Sequence, residues 1–252
     1  MGLPPDATVW DWLALAWFGL AWLGYGAIMQ ALPWHGSINH RLDDVRRAWM
    51  GSMLQRDNRI TDSSLIGHTV HSATFFASTT MVALAALLGV LGGFDHSYAA
   101  LGGLGFTAKT SRALAEAKLL LLVLVFAHTF LKLSWSLRQL NYCLALIGAA
   151  PLRPDPADQD RIAEPVAAVL TLAIRSFNAG IRGYYFALAA LAWLLGPAAF
   201  AAATGGIVAM LVWRQYGSPT SAAIKAGHAA LAEVEVSQVP PGTSTTVARR
   251  AA

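Results

Sequence analysis

Four long apolar stretches, separated by polar segments that carry arginine, dominate the pattern of the chain. They lie near Asp11–Leu32, Leu65–Gly93, Leu119–Ser136 and Tyr184–Trp213. A bilayer core of about 30 Å is crossed by about 20 helical residues, so each stretch is long enough to span a membrane. The pattern therefore predicts an all-α protein built as a bundle of four transmembrane helices.

Two polar segments between these stretches show the period of an amphipathic helix, near residues 38–59 and 158–178. In the first of them Val45, Trp49 and Met53 follow one another at intervals of four residues. This spacing places the apolar side chains on one helix face and the arginines on the other. We expect both helices on the cytoplasmic side.

The domain boundaries follow from the same pattern. Residues 1–216 are predicted to form the transmembrane domain with its amphipathic helices, and residues 217–252 a flexible, polar C-terminal tail. Gly196 and Pro197 lie inside the last apolar stretch, so a kink is expected there. Glycines in the first stretch are expected to let a neighbouring helix approach closely: Gly19, Gly24 and Gly26.

Composition agrees with a membrane protein and narrows its chemistry. The chain is 56% hydrophobic and only 13% charged, whereas soluble domains are about 45–50% apolar and about 25% charged. The single Cys143 excludes an intrachain disulfide and any site with several cysteine ligands. No Ser/His/Asp order, pair of carboxylates expected to be buried, or HExxH string that would indicate hydrolysis is present, so we expect a protein that is not an enzyme.

The distribution of basic residues predicts an orientation. Five arginines separate the first two apolar stretches, and six Lys or Arg residues lie between Lys132 and Arg182. The positive-inside rule places both segments in the cytoplasm and both termini outside, in a bacterial inner membrane. We attribute the net charge of +4 to arginines that set the membrane topology and contact anionic lipid headgroups, and not to nucleic-acid binding.

Polar residues in the second and third stretches share helix faces and are candidates for a polar pathway. They are His68, His71, Ser72, Ser78 and Thr79 in the second stretch, with His128 and Lys132 in the third. Ionisable groups at membrane depth usually face the bundle interior or a cavity. The alternative is that the hydroxyls bond to their own helix, the histidines lie at headgroup level and Lys132 reaches the surface.

The histidines also raise the question of a haem or a metal. One histidine from each of two helices could ligate a haem axially, but His68 and His128 are expected at different depths. His68, His71 and Asp62 have suitable spacing for zinc but need further ligands. We therefore expect no cofactor and no metal.

Arginines on the expected cytoplasmic side form a basic cluster: Arg46, Arg47, Arg56, Arg59, Arg175 and Arg182. One interpretation is contact with anionic lipids. The other is a vestibule that collects anions, since clusters of basic residues at a pore mouth favour them. Aspartates lie among these arginines, so some of the arginines are expected to pair.

Two strings of residues resemble an uncharacterised family of four-span membrane proteins of bacteria and plants, known as a domain of unknown function. One string begins at Arg46-Arg47 and runs through the Phe75–Thr80 segment, and the other runs from Phe177 to Pro197. The positions that carry the resemblance include Trp49, Asp62, Phe76, Asn178, Tyr185 and Pro197. The resemblance covers about residues 10–215 and implies the fold and membrane location, but no activity.

These observations favour an oligomeric channel or carrier for small anionic solutes. A non-catalytic accessory or structural subunit of a larger membrane complex is the alternative, and a haem-binding redox subunit is the third. A bundle of four spans encloses little polar space by itself, so we expect a homo-oligomer or a place in a membrane complex.

Overall fold

The computed structural model describes residues 4, 6–31, 37–94, 98 and 110–237. Every regular element in these ranges is helical, which confirms the all-α class. The elements are α1 (Val9–Ala31), α2 (Ile38–Leu54), α3 (Ile60–Gly92), α4 (Arg112–Ala149), α5 (Pro156–Leu191), a short 3₁₀ helix (Ala192–Leu195), α6 (Pro197–Tyr216) and α7 (Pro219–Ser237).

Within the described residues, five helical segments, and not four, are long and apolar enough to cross a membrane. They are Val9–Met29, Ile60–Gly92, Arg112–Ala149, Pro156–Leu195 and Pro197–Val234. The chain is therefore a membrane protein by the length and composition of its helices.

The difference arises in the last predicted span, Tyr184–Trp213, which the structure divides into two antiparallel helices. Gly196 has φ 119°, a left-handed value that glycine adopts without a steric penalty. Pro197 then occupies the first turn of α6, where its missing N–H costs no helical hydrogen bond. Arg214 near the end of α6 donates to the hydroxyl of Tyr185 at 2.9 Å. The predicted kink is thus a hairpin turn.

Three helices, α3, α4 and α5, are much longer than the hydrocarbon layer is thick. The buried residues of the protein show which ends of these helices extend beyond the membrane bundle. The 38 residues of α4 span about 57 Å at 1.5 Å per residue, against about 30 Å of hydrocarbon. One buried cluster joins α1, α4, α5 and α6 around Phe18, Phe186 and Phe200. A separate cluster joins α2 to one end of α3, α4 and α5, around Met53 and Leu140.

We call this second part the head: α2 together with residues 60–73 of α3, 136–149 of α4 and 156–173 of α5. Its core explains the amphipathic patterns, because the apolar face of α2 packs on α5 through Met50, Met53 and Leu54. The segment predicted near residues 158–178 is the first part of the continuous helix α5. Both amphipathic faces are thus buried in protein.

The chain beyond Gly217, assigned to a polar tail by its composition, contains α7 over Pro219–Ser237. His228 of this helix lies 3.2 Å from the carboxylate of Asp44 on α2, so α7 packs against the head. Residues 238–252 lie outside the described part of the chain.

The helix directions place the start of α1 and the end of α6 at opposite ends of the bundle. Asp11 near the start of α1 accepts a hydrogen bond of 2.8 Å from Trp193, beside the α5–α6 turn. The hydroxyl of Tyr216 lies 4.0 Å from the sulfur of Met29 near the other end of α1. An odd number of crossings separates these ends, so the prediction of both termini on one side is not supported by the geometry.

The closest helix packing depends on a glycine that was not among those expected, although Gly26, which was, lies against Arg182 of α5. A Cβ added to Gly183 would lie 1.8 Å from the hydroxyl oxygen of Thr129 on α4. Nothing lies within 4 Å of that position at Gly19, and only Ile28 of the same helix lies there at Gly24. The tight crossing therefore joins α4 and α5, because Gly183 removes the side chain that would keep them apart.

Candidate anion-binding site

Asp43 on α2 bridges two of the predicted basic residues. Arg46 contacts one carboxylate oxygen at 2.5 Å, and Arg175 on α5 donates to the other at 2.6 Å. Arg46 also donates to the hydroxyl of Thr171 at 3.0 Å. Both arginines are therefore paired with Asp43 and join α2 to α5, and the three side chains together keep one positive charge.

Asp62, in the first turn of α3, is fully buried and forms the second carboxylate centre of the head. Trp49 donates its indole N–H to Oδ1 at 2.7 Å, and Arg56 donates to the same oxygen. These contacts pair the carboxylate through Oδ1 and fix the turn between α2 and α3, while the buried Oδ2 has no hydrogen-bond partner among the described residues.

The other head arginines of the predicted basic cluster, Arg59 and Arg47, also have partners. Arg59 donates to three backbone carbonyl oxygens at the C-terminal end of α4, those of Ile147, Ala150 and Pro151. A cation is favourable there because the carbonyl dipoles point outward. Arg47 lies 3.7 Å from Asp44 and 3.9 Å from Glu164. The basic cluster is therefore a set of ion pairs and caps, as the interspersed aspartates predict, and does not form an open ring.

The polar residues of α3 do not face α4. The helix packs on its neighbour through a stripe that includes Asp62, Ile66, Ala73, Ala77 and Thr80, whereas five predicted pathway residues are exposed: His68, His71, Ser72, Ser78 and Thr79. The hydroxyls of Ser72 and Thr79 donate to carbonyl oxygens of their own helix. The structure therefore does not bring this stripe to the third predicted span.

His128 and Lys132, the α4 members of that pathway, are half-buried. The ring of His128 packs edge-on against Trp22 of α1, with 5.1 Å between centroids. It is thus separated from His68 on the exposed face of α3. Among the described residues, no three His, Cys, Asp or Glu side chains converge as metal ligands.

The two family strings meet where side chains of α3 and α5 touch. The hydroxyl of Tyr184 donates to the carbonyl oxygen of Phe76 at 2.7 Å and lies 2.7 Å from the hydroxyl of Thr80. The rings of Phe76 and Phe177 pack edge-on at 6.1 Å. These contacts join α3 to α5 and so help to specify the bundle.

Arg182 differs from every other member of the basic cluster. It lies on α5, half-buried, with its guanidinium 5.4 Å from the ring centre of Tyr25 on α1. A Cβ added to Gly26 would lie 3.3 Å from Nη2, so the backbone of α1 passes directly beside the guanidinium. Within the described residues, Arg182 has no carboxylate partner and no hydrogen-bond acceptor.

The membrane-spanning stretches around Arg182 contain no acidic residue that could pair with it. Asp and Glu are absent from residues 12–31, 63–92, 117–149 and 165–216. Lys118, near the other end of the bundle, lies by contrast over the ring of Trp193, whose indole N–H bonds to Asp11. The positive charge at Arg182 therefore needs a counter-ion from outside the described helices.

Arg182 lies at a height along α5 that a hydrocarbon core beginning at the Gly196 turn includes. About 20 Å of helix separates it from the turn at Gly196, at 1.5 Å per residue. A core of about 30 Å that begins at the turn therefore ends about 10 Å beyond Arg182, towards the head. Charged groups at such depth are rare and usually line a binding site or pathway.

Tyr25 and Arg214, which the sequence analysis did not select, complete the surroundings of Arg182. The guanidinium lies over the ring of Tyr25, and Arg214 of α6 bonds to Tyr185, one turn beyond Arg182 on α5. The signal that could have drawn attention to this region is the acid-free composition of the spans, since it leaves their cations unmatched. Tyr25 is brought to the site only by the packing of α1.

Comparison with known families agrees with the resemblance of the two strings. A family model described as a protein of unknown function, DUF599, matches residues 13–220. The chain belongs to this family. No curated protein and no solved structure matches the chain. Membership in DUF599 confirms the resemblance to an uncharacterised family and assigns no activity, so the function must be argued from the site.

Proposed function

We propose that this DUF599 protein binds small anions at Arg182 within the bilayer and conducts them across it, as a channel or carrier without a chemical reaction. The observation that carries the proposal is an intramembrane guanidinium without a carboxylate among the described residues. A charged side chain at the centre of a membrane helix costs about 3 kcal/mol or more. A bound anion offsets that cost.

The charge distribution favours entry from the head side. Arg175 lies at the head end of α5 and Arg214 in the last turn of α6, so positive charge extends from the head towards Arg182. Clefts of one sign raise the local concentration of the opposite ion. We place the head in the cytoplasm, in a bacterial inner membrane, because the arginine-rich segments belong to it.

Flux through purified protein in liposomes tests this function. We expect the protein to release trapped chloride, nitrate or acetate faster than empty liposomes do, and Arg182→Ala to abolish the difference. Arg138→Ala is the matched control, because Arg138 is an exposed arginine on α4 near the head. Size-exclusion profiles verify that all three proteins assemble alike. Flux that survives Arg182→Ala, or its absence in the unaltered protein, contradicts the proposal.

A second candidate function, a subunit of a membrane assembly, is favoured by the exposure of α3. Only 11% of the residues in its apolar membrane-spanning stretch are buried. Its exposed large side chains include Phe75, Met81, Val82 and Leu88. We propose that another copy of the chain covers this helix. The mass of the purified particle tests it: a multiple of 26.8 kDa indicates a homo-oligomer, and fixed additional polypeptides indicate a complex of several proteins.

A further inference from the structure

The Arg182 guanidinium contacts an aromatic ring and has hydrogen-bond donors without a described acceptor. Tyr25 packs over the guanidinium at 5.4 Å to the ring centre. A cation–π contact of this kind forms no hydrogen bond, so the N–H groups of the guanidinium remain donors. The structure provides no acceptor for these donors among the described residues.

Asn178 supplies a second unused polar group on the same side of α5. It lies four residues before Arg182, so the two side chains are neighbours one helical turn apart. Asn178 is half-buried and makes no hydrogen bond to a described residue. Its amide can donate to an acceptor that Arg182 also binds.

We infer that the Arg182 site takes an oxyanion, a carboxylate or a phosphate group, with the guanidinium donating two hydrogen bonds and the Asn178 amide a third. The inference rests on the proposed function and names its substrate class. A planar fork of donors matches two oxygens on one carbon or phosphorus atom, whereas a halide offers a single acceptor atom to both donors. Lysine keeps the charge but lacks the fork.

Ligand-dependent thermal stability in dodecyl maltoside micelles separates the ligand classes without depending on transport. A ligand of the folded state raises the unfolding temperature according to its concentration and affinity. At constant ionic strength, we expect acetate and phosphate to raise it more than chloride does. Arg182→Lys is expected to weaken the apparent affinity for acetate at least tenfold and to leave the chloride response unchanged, and Arg138→Ala is expected to match the unaltered protein.

Asn178→Asp provides a test that does not depend on loss of folding. The variant places a carboxylate four residues before Arg182, an arrangement that favours an ion pair on a helix. We expect the unfolding temperature without added anion to rise and the response to acetate and phosphate to disappear. A solely structural role for Asn178 predicts a lower unfolding temperature with the acetate response intact, and that result contradicts the inference.

The oxyanion could come from solution or from a lipid headgroup, and a second arm distinguishes these sources. Short-chain phosphatidate is added to the same micelles in place of inorganic phosphate. Stabilisation by acetate and phosphate indicates a soluble ligand. Stabilisation by phosphatidate alone supports oxyanion recognition and contradicts conduction of a solute. Equal responses to chloride and acetate overturn the oxyanion inference and leave the proposal of anion transport intact. No response to any anion, together with flux that Arg182→Ala does not change, overturns the inference and the proposed function.

Discussion

Asp43 and Asp62 hold arginines of the head, whereas Arg182 lies in the membrane bundle beside an aromatic ring. A carboxylate within reach turns an arginine into a structural link, because both charges are then compensated. Without one, the same side chain is available to a ligand. The surroundings of each guanidinium, and not the clustering of arginines in the sequence, therefore separate structural from candidate functional residues.

The buried carboxylate of Asp62 is expected to contribute to the stability of the fold. Asp62→Ala leaves the indole N–H of Trp49 and the guanidinium of Arg56 without their acceptor. We expect the free energy of unfolding to fall by about 2 kcal/mol, the usual cost of orphaning a buried donor. Thermal unfolding in detergent measures it.

Asp57→Ala is the control for this variant. Asp57 also pairs with an arginine, Arg153, but both side chains are largely exposed. Removal of such a surface pair costs about 0–1 kcal/mol. Equal losses in the two variants would show that the burial of Asp62 is unimportant.

A pH-dependent contribution to stability is expected from Asp6, which lies at the end of the bundle opposite the head. Its carboxylate accepts the hydroxyl and the backbone N–H of Ser111 at the start of α4, and these bonds lower the pKa of Asp6 below the usual 3.8. A lowered pKa in the folded state stabilises the fold above pH 3.8, and this contribution is lost as pH falls through the folded value.

The comparison of the unaltered protein with Asp6→Asn measures this contribution. We expect the unaltered protein to have the higher unfolding temperature at pH 5 to 6 and the difference to shrink progressively below about pH 3.8. A difference that does not change with pH would exclude the ionised carboxylate as its cause.

The helix pair α4 and α5 organises the molecule at the scale of elements, because it takes part in both buried clusters. Its crossing depends on Gly180 and Gly183, where an added Cβ would lie 2.6 Å from Leu133 and 1.8 Å from Thr129. The same pair supports Arg182, which lies between these glycines. Close packing of α4 and α5 and the position of the candidate site are therefore coupled.

Gly183→Ala tests this crossing. The new methyl group would overlap Thr129, so we expect the free energy of unfolding to fall by about 1–3 kcal/mol, as overpacking usually costs. The double variant Gly183→Ala with Thr129→Ala should recover part of the loss, because it removes the hydroxyl that the methyl group meets. Thermal unfolding of both variants in detergent measures the effects.

Gly205→Ala on α6 is the matched substitution, since nothing lies within 4 Å of an added Cβ there. Helix propensity predicts a gain of about 0.5–1 kcal/mol for that change. A loss at Gly205 as large as that at Gly183 would mean that steric overlap at the crossing is not the reason.

The path of the whole chain combines a membrane bundle and a head with separate cores. The hairpin at Gly196 and Pro197 returns α6 to the head side, where α7 packs on α2. Long helices extend past the membrane bundle and carry the head. The order of the arginines in the sequence therefore does not show whether they lie at the same depth.

Labelling of engineered cysteines tests this path. Ala198→Cys is exposed at the hairpin and Ser52→Cys is exposed on the head, while the native Cys143 is fully buried. We expect a membrane-impermeant thiol reagent to reach the two positions from opposite sides of the membrane. No labelling at Ala198→Cys would favour a single kinked span, and labelling of both from one side would contradict five crossings.

The sequence by itself determined the solvent of this protein, its helical class, its family and the presence of basic residues near membrane depth. These properties depend on composition and on local periodicity, which are visible along the chain. It also indicated that aspartates would pair with some arginines.

Only the tertiary structure decided which arginine of the predicted basic cluster lacks a carboxylate among the described residues, where the last span reverses, and which glycines allow close packing. The carboxylate that pairs with Arg175 and the aromatic ring beside Arg182 lie on other helices, so these surroundings could not be read from sequence neighbours. A glycine–proline pair permits either a kink or a turn, and the choice at Gly196 depends on the packing of α6 against α1. Long-range contacts, which local patterns do not encode, made each of these decisions.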